Sequence, residues 1–162
     1  MAIQDSRTTA MLRSANRATI GATAVLLLTT VHHLYGARVY RTPWRRHAAI
    51  VSTLATAVIG GSLILLRRNG TATTGKLAFW VFTGANLAFP VVGFGLFEGG
   101  YNHLAKDLLY FSGTSPTVMR RLFPPPRYEM PDNLFFEVTG VLQVVPAAVT
   151  AYHLYQLVRQ RR

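Results

Sequence analysis

Hydrophobic positions in this chain gather into four long blocks, about residues 18–36, 48–66, 77–97 and 134–158, with most of the charge in the segments between them. A helix of about 20 residues crosses the roughly 30 Å hydrocarbon core of a bilayer, and all four blocks are near or above that length. The second and third carry no charged residue anywhere around their circumference. A water-facing helix needs a polar face, so a soluble bundle is disfavoured. The first block is diluted by threonines and by His32 and His33, and the fourth contains Glu137, Gln143 and His153. Both are expected to turn a polar face toward other helices rather than toward lipid.

The pattern predicts an all-α, polytopic membrane protein: one domain over residues 1–162, built as an antiparallel four-helix transmembrane bundle with both termini on the same side. Arg7, Arg13 and Arg17 precede the first apolar run, but no small-x-small cleavage site follows it, so it reads as a retained span rather than a signal peptide. Connections 37–47 and 67–76 are short, which makes consecutive helices antiparallel neighbours. Connection 98–133 is long. In it, Gly99-Gly100 should loosen or bend the third helix, residues 103–111 should form a short interfacial helix, and Gly113 to Pro116 should turn. Pro124, Pro125, Pro126 and Pro131 enforce a non-helical path, and Asp132 or Asn133 is suited to cap the fourth helix. Ala22, Ala24, Gly60, Gly61, Gly84, Gly93 and Gly95 read as small residues allowing close helix contact. Pro90 and Pro146 fall inside spans, where they can introduce kinks.

Charge changes the picture little. The formal net charge is +11, but the arginines sit mostly at span ends, where they meet anionic lipid headgroups. Membrane lipids are therefore the expected partners, and nucleic acid is not, since no basic stretch is interleaved with aromatics in a recognisable module. The tails and the 67–76 connection hold 9 Lys and Arg against 8 in the other two connections, a near tie that leans to cytoplasmic termini. Tyr35, Tyr40, Trp44, Tyr101 and Tyr110 fall at one set of span ends and Trp80, Tyr152 and Tyr155 at the other, as aromatic belts do. The chain has no cysteine, so disulfides, thiolate metal sites and thiol nucleophiles are excluded.

The candidate chemistry lies in an asymmetry. Five of the six carboxylates and four of the five histidines lie at or beyond the same end of the four blocks. Helices alternating in direction bring His32, His33, His47, Glu98, His103 and Glu137 toward one interface, while His153 lies about 24 Å along its helix from Glu137. Imidazoles and carboxylates suit zinc or iron, with haem less well supported in the absence of a Cys-x-x-Cys-His attachment. His32, His33, Glu98, His103 and Glu137 are the candidate metal ligands. Glu137 and His32 are the candidate acid/base or catalytic groups, because ionisable residues inside a span usually face a cavity or the bundle interior. His47, following Arg45 and Arg46, reads as an interfacial side chain. Neighbours His32 and His33 project about 100° apart, so only one should face the site. Glu98 and His103 are about 140° apart on a regular helix and converge only if it is distorted. His103 and Asp107 share a face and are candidates for a local bond. Tyr35 and Tyr101 are candidate hydrogen-bond partners of the cluster. There is no His-Glu-x-x-His and no Glu-x-x-His.

These residues are compatible with a small intramembrane enzyme acting on a lipid-soluble substrate, a haem or metal electron-transfer subunit, or a proton-coupled carrier. The carrier is disfavoured by the lack of an internal repeat. The alternative is an accessory or assembly subunit, bound to membrane-complex partners, whose polar residues only knit the bundle together.

Overall fold

The structure, a computed structural model, describes residues 2–70 and 72–161, with side chains from Thr8 onward. The side chains of Asp5, Ser6 and Arg7 and all of Arg162 lie outside the described residues. The helices are α1 (Ala2–Val39), α2 (His47–Asn69), α3 (Thr73–Asn86), α4 (Lys106–Phe111), α5 (Pro116–Leu122), α6 (Leu134–Val141) and α7 (Val144–Arg161). A 3-10 turn (Pro43–Arg46) leads into α2, and a π-helical stretch (Leu87–Ala105) joins α3 to α4 without interruption. No strand occurs among the described residues.

Four helical lengths are long and apolar enough to cross a membrane: Thr8–Val39, Pro43–Asn69, Thr73–Phe111 and Leu134–Arg161. Each extends past its predicted apolar block. Polar contacts show α1 antiparallel to the last two helices. Ser14 bonds Gln160, Thr29 bonds Gln143, His32 bonds Thr139, and Tyr35 bonds Asn133. Arg67 at the end of α2 reaches Asn16 near the start of α1. The core holds Ala15, Ala18, Ala22, Ile59, Phe79, Phe82 and Leu157. Outside it, Ile20, Leu27, Ile50, Leu54, Leu77, Leu96, Leu134 and Val145 are exposed along the helix flanks. A soluble monomer rarely leaves so much apolar surface uncovered, whereas an integral membrane protein presents it to lipid.

The crossing pattern has a direct test. Cysteines introduced at Ser6 and Gln160 should label from the same side of the membrane, and one at Ser115 from the other. A Ser115 cysteine that labels together with the termini would rule out four crossings.

Several local expectations change. The third helix neither breaks nor turns at Gly99-Gly100, and the predicted surface piece 103–111 is the end of the same continuous helix. Its turns widen instead. Pro90 lacks an N–H, and in an α-helix its ring would clash with the carbonyl four residues back, that of Asn86. The wide-turned stretch starts at the next residue, Leu87. The short helix of the long connection is α5, whose Ser115 hydroxyl accepts from the Val118 N–H. Residues 123–133 are non-helical, as the prolines require, and Asn133 caps α6 by accepting from the Phe136 N–H. Pro146 interrupts the fourth span at Leu142 and Gln143, again four residues before the ring. Close packing uses some predicted small residues and not others. Ala22 is buried, and a methyl group on Gly95 would lie 2.2 Å from that of Ala147. Gly60, Gly61 and Gly84 would meet nothing within 4 Å.

Candidate metal centre

At the end of the bundle formed by the close of α1, the π-helical stretch and α6, four buried ionisable side chains converge. His32, His33, His103 and Glu137 are 0%, 8%, 2% and 6% exposed, and Glu98 joins them with 13% of its side chain accessible. The Nε2 atoms of His32, His33 and His103 stand 3.5, 3.4 and 3.6 Å from the same Glu98 oxygen, Oε1. One ligand atom each from His32, Glu98 and His103 can be chosen so that all lie within 4.8 Å of one another.

Backbone geometry explains how these residues meet. In a π-helix the hydrogen bonds run i to i+5, so the turn widens and residue i+5 swings back over residue i. Glu98 and His103 are related in this way. His32 and His33 both reach Glu98, contrary to the expectation that one of them would point away. The carboxylate sits between their two directions, with the rings nearly perpendicular at 88°. His103 fits only because residue 140 is glycine, since a Cβ there would lie 2.3 Å from the ring. Gly99 lets the π-helical stretch approach α6 at that level, where a Cβ would fall 3.0 Å from the Gly140 carbonyl.

The remaining ring nitrogens determine the protonation pattern. Lys106 Nζ donates to both Glu137 oxygens at 3.0 and 3.1 Å, so Glu137 is a charged, acceptor-only carboxylate. His103 Nδ1–H therefore donates to Glu137 Oε2 at 2.6 Å. The single Thr139 hydroxyl proton goes to the Phe135 or Phe136 carbonyl. With that proton given to a carbonyl, Thr139 accepts from His32 Nδ1–H at 3.1 Å, the tautomer that leaves Nε2 as an acceptor. On neutral imidazoles, both Nε2 atoms present lone pairs toward the Glu98 oxygen. Glu98 Oε2 is occupied by the Asn102 amide at 2.6 Å, and His32 Nε2 has no hydrogen-bond partner.

Lys106 joins the site without any motif that marks it in the sequence, although it lies three residues from His103. It is 1% exposed, and its third N–H donates to the Glu129 carbonyl at 2.9 Å. Thr139 and Asn102 were also missed, since hydroxyls and amides carry no chemical signature of their own. Asp107 does not bond His103. It lies 3.8 Å from Lys106. Glu137 meets His103 on the ring nitrogen turned away from Glu98. Tyr35 and Tyr101 bond Asn133 and the Leu122 carbonyl rather than the cluster. His47 is exposed and bonds the Trp44 carbonyl, as an interfacial side chain would, and the ring neighbour of His153 is Tyr152.

Two cavities adjoin the cluster. One, of about 240 Å³, is lined by His33, Glu98 and His103 together with Arg45, His47, Arg127, Tyr128 and Glu129. The other, about 450 Å³, is lined mainly by apolar side chains, among them Phe111, Leu134, Val138, Val141 and Leu142, and reaches Asp107 and Glu137. Comparisons with protein families, curated proteins and solved structures find no match to the chain.

Proposed function

We propose that the protein is a membrane-embedded metalloenzyme whose divalent transition metal is held by His32, Glu98 and His103, and that it acts on a lipid-soluble substrate. The observation that carries this reading is the convergence of lone pairs. One ligand atom each from two imidazoles and a carboxylate lie within 4.8 Å of one another, and both imidazole nitrogens stand 3.5 and 3.6 Å from the same oxygen, longer than an ordinary hydrogen bond. A proton satisfies one such pair at a time, whereas a metal ion satisfies all three lone pairs at once. The two edges that run to Glu98, 3.5 and 3.6 Å from His32 and His103, are near the ligand-to-ligand edge of a tetrahedral zinc site, about 3.3 to 3.4 Å for bonds of about 2.0 to 2.1 Å, and the edge between the two imidazoles is within 4.8 Å.

The surroundings support the same assignment. Metal-binding histidines characteristically donate their other N–H to a carboxylate or another acceptor, as His103 does to Glu137 and His32 to Thr139. Glu137 thus positions His103 instead of joining the ligands. His33 supplies a fourth ligand or yields that place to water, and three protein ligands with an open position are the pattern of catalytic rather than structural zinc. A metal in that position supplies an activated water or polarises a substrate oxygen. The lipid-soluble substrate is proposed from the site's place in a bundle whose flanks are apolar. The larger apolar cavity touches Glu137, on the side of the His103 ring turned away from Glu98, and does not itself reach the ligand atoms.

Detergent-purified protein should contain about one zinc or iron per chain by elemental analysis, with no Soret band. Glu98→Gln should reduce that content at least tenfold while the circular dichroism stays helical. Cobalt-loaded protein should change its visible spectrum on adding azide if a coordination position is open. Metal-free wild type, or Glu98→Gln with full metal, would sink the metal centre. A cobalt spectrum indifferent to azide would leave a structural metal in an accessory subunit.

A further inference from the structure

We infer that the cavity of about 240 Å³ beside the metal centre is a site for a phosphate-type dianion, either free phosphate or a phosphomonoester lipid headgroup, seated between the metal and Arg45 and Arg127. The inference rests on the metal centre proposed above and names the ligand class of that site.

The charges around the cavity carry the argument. On the cavity wall Arg45 and Arg127 are offset by Glu98 and Glu129, while Lys106 is paired with Glu137 and Asp107, which line the other cavity. A divalent metal therefore gives this cavity a surplus of one to two positive charges. A phosphomonoester carries about −1.5 to −2 at neutral pH, which lies within that range, whereas a carboxylate meets only its lower limit.

Donor capacity points the same way. Arg45 is 5% exposed and fixed beside the rings of Trp44 and Phe136, with its guanidinium carbon 4.9 and 5.3 Å from their centroids. Of its five N–H groups, one goes to the Thr42 hydroxyl at 2.9 Å and one to Glu129 at 3.3 Å. Three are left without a hydrogen-bond partner among the described residues, on a side chain that lines the cavity. Arg127 is exposed, lies in the non-helical 123–133 segment, and has no side-chain hydrogen bond or ion pair among the described residues. Lys106 is not a competitor, since all three of its N–H groups are taken. Planar guanidinium forks match the oxygen spacing of phosphate and bind it bidentately.

Trp44 lines this cavity, and Trp80, far along the sequence and exposed, can be replaced by phenylalanine to isolate its signal. Trp80→Phe protein with its zinc content measured is titrated with inorganic phosphate in detergent, and separately reconstituted in nanodiscs with and without phosphatidic acid. A saturable Trp44 change is expected with at least one probe. It should weaken at least tenfold in Arg127→Gln and disappear after zinc is stripped while helicity persists. Response to phosphate alone identifies the free ion, and response to phosphatidic acid alone the headgroup; either supports the proposal. Zinc-replete protein that responds to neither probe, or an Arg127→Gln variant that responds as wild type, overturns the anion site and leaves the metal centre standing. Protein that holds neither zinc nor iron overturns both.

Discussion

Replacing Glu137 with glutamine is expected to destabilise the bundle by up to about 3–5 kcal/mol, because it leaves the buried Lys106 ammonium with only the more distant Asp107 carboxylate, 3.8 Å away, as counter-charge. Glutamine keeps the shape and most of the hydrogen-bonding capacity of glutamate, so a mild effect would be expected from the side chain taken alone. The structure changes that expectation, since Lys106 is 1% exposed and takes both Glu137 oxygens at about 3 Å. The informative experiment is a cycle. Lys106→Met combined with Glu137→Gln removes both charges and should recover most of the lost stability, since buried ion pairs are often replaceable by neutral residues at little net cost. Metal affinity should not recover with it. His103 still lacks the carboxylate that orients its ring, and losing such a partner typically lowers affinity 10- to 100-fold. Thermal unfolding and metal titration on the two single variants and the double variant give both readouts. A double variant with wild-type metal affinity would remove Glu137 from any part in positioning His103.

The second large effect is expected at a residue with no side chain. Gly140→Ala places a methyl group 2.3 to 2.6 Å from three atoms of the His103 ring. That ring cannot easily yield, because it is bonded to Glu137 and packed edge-on against His32 and Phe136, with centroids 4.6 and 5.1 Å away. Overpacking of this kind costs about 1–3 kcal/mol. Displacing Nε2 of His103 should also cut metal occupancy severely. Gly60→Ala is the control, because nothing lies within 4 Å of its added methyl. It should be neutral or stabilising by up to about 1 kcal/mol through helix propensity. Equal metal content in the Gly140→Ala and Gly60→Ala proteins would show that His103 is not held where the structure has it.

Much of the architecture was readable in the amino-acid sequence because it depends on one-dimensional quantities. Uninterrupted apolar length identifies the four candidate spans, short connections make neighbours antiparallel, and prolines mark where helical hydrogen bonding has to fail. Alternating helix direction likewise places His32, Glu98, His103 and Glu137 at one end of the bundle. The details of the site depend on angles and contacts that no linear spacing expresses. An α-helical ruler sets Glu98 and His103 about 140° apart, and only the widened turns after Asn86 bring them together. It also sets His32 and His33 on diverging directions, and only the position of Glu98 between them lets both rings reach one oxygen. Nothing along the sequence marks Lys106 as buried, because a lysine's burial depends on finding a counter-charge, here Glu137, which lies 31 residues away in sequence. Gly140 resembled any other small residue of a span. Its importance comes from the His103 ring carried by a different helix, a contact that tertiary packing alone decides.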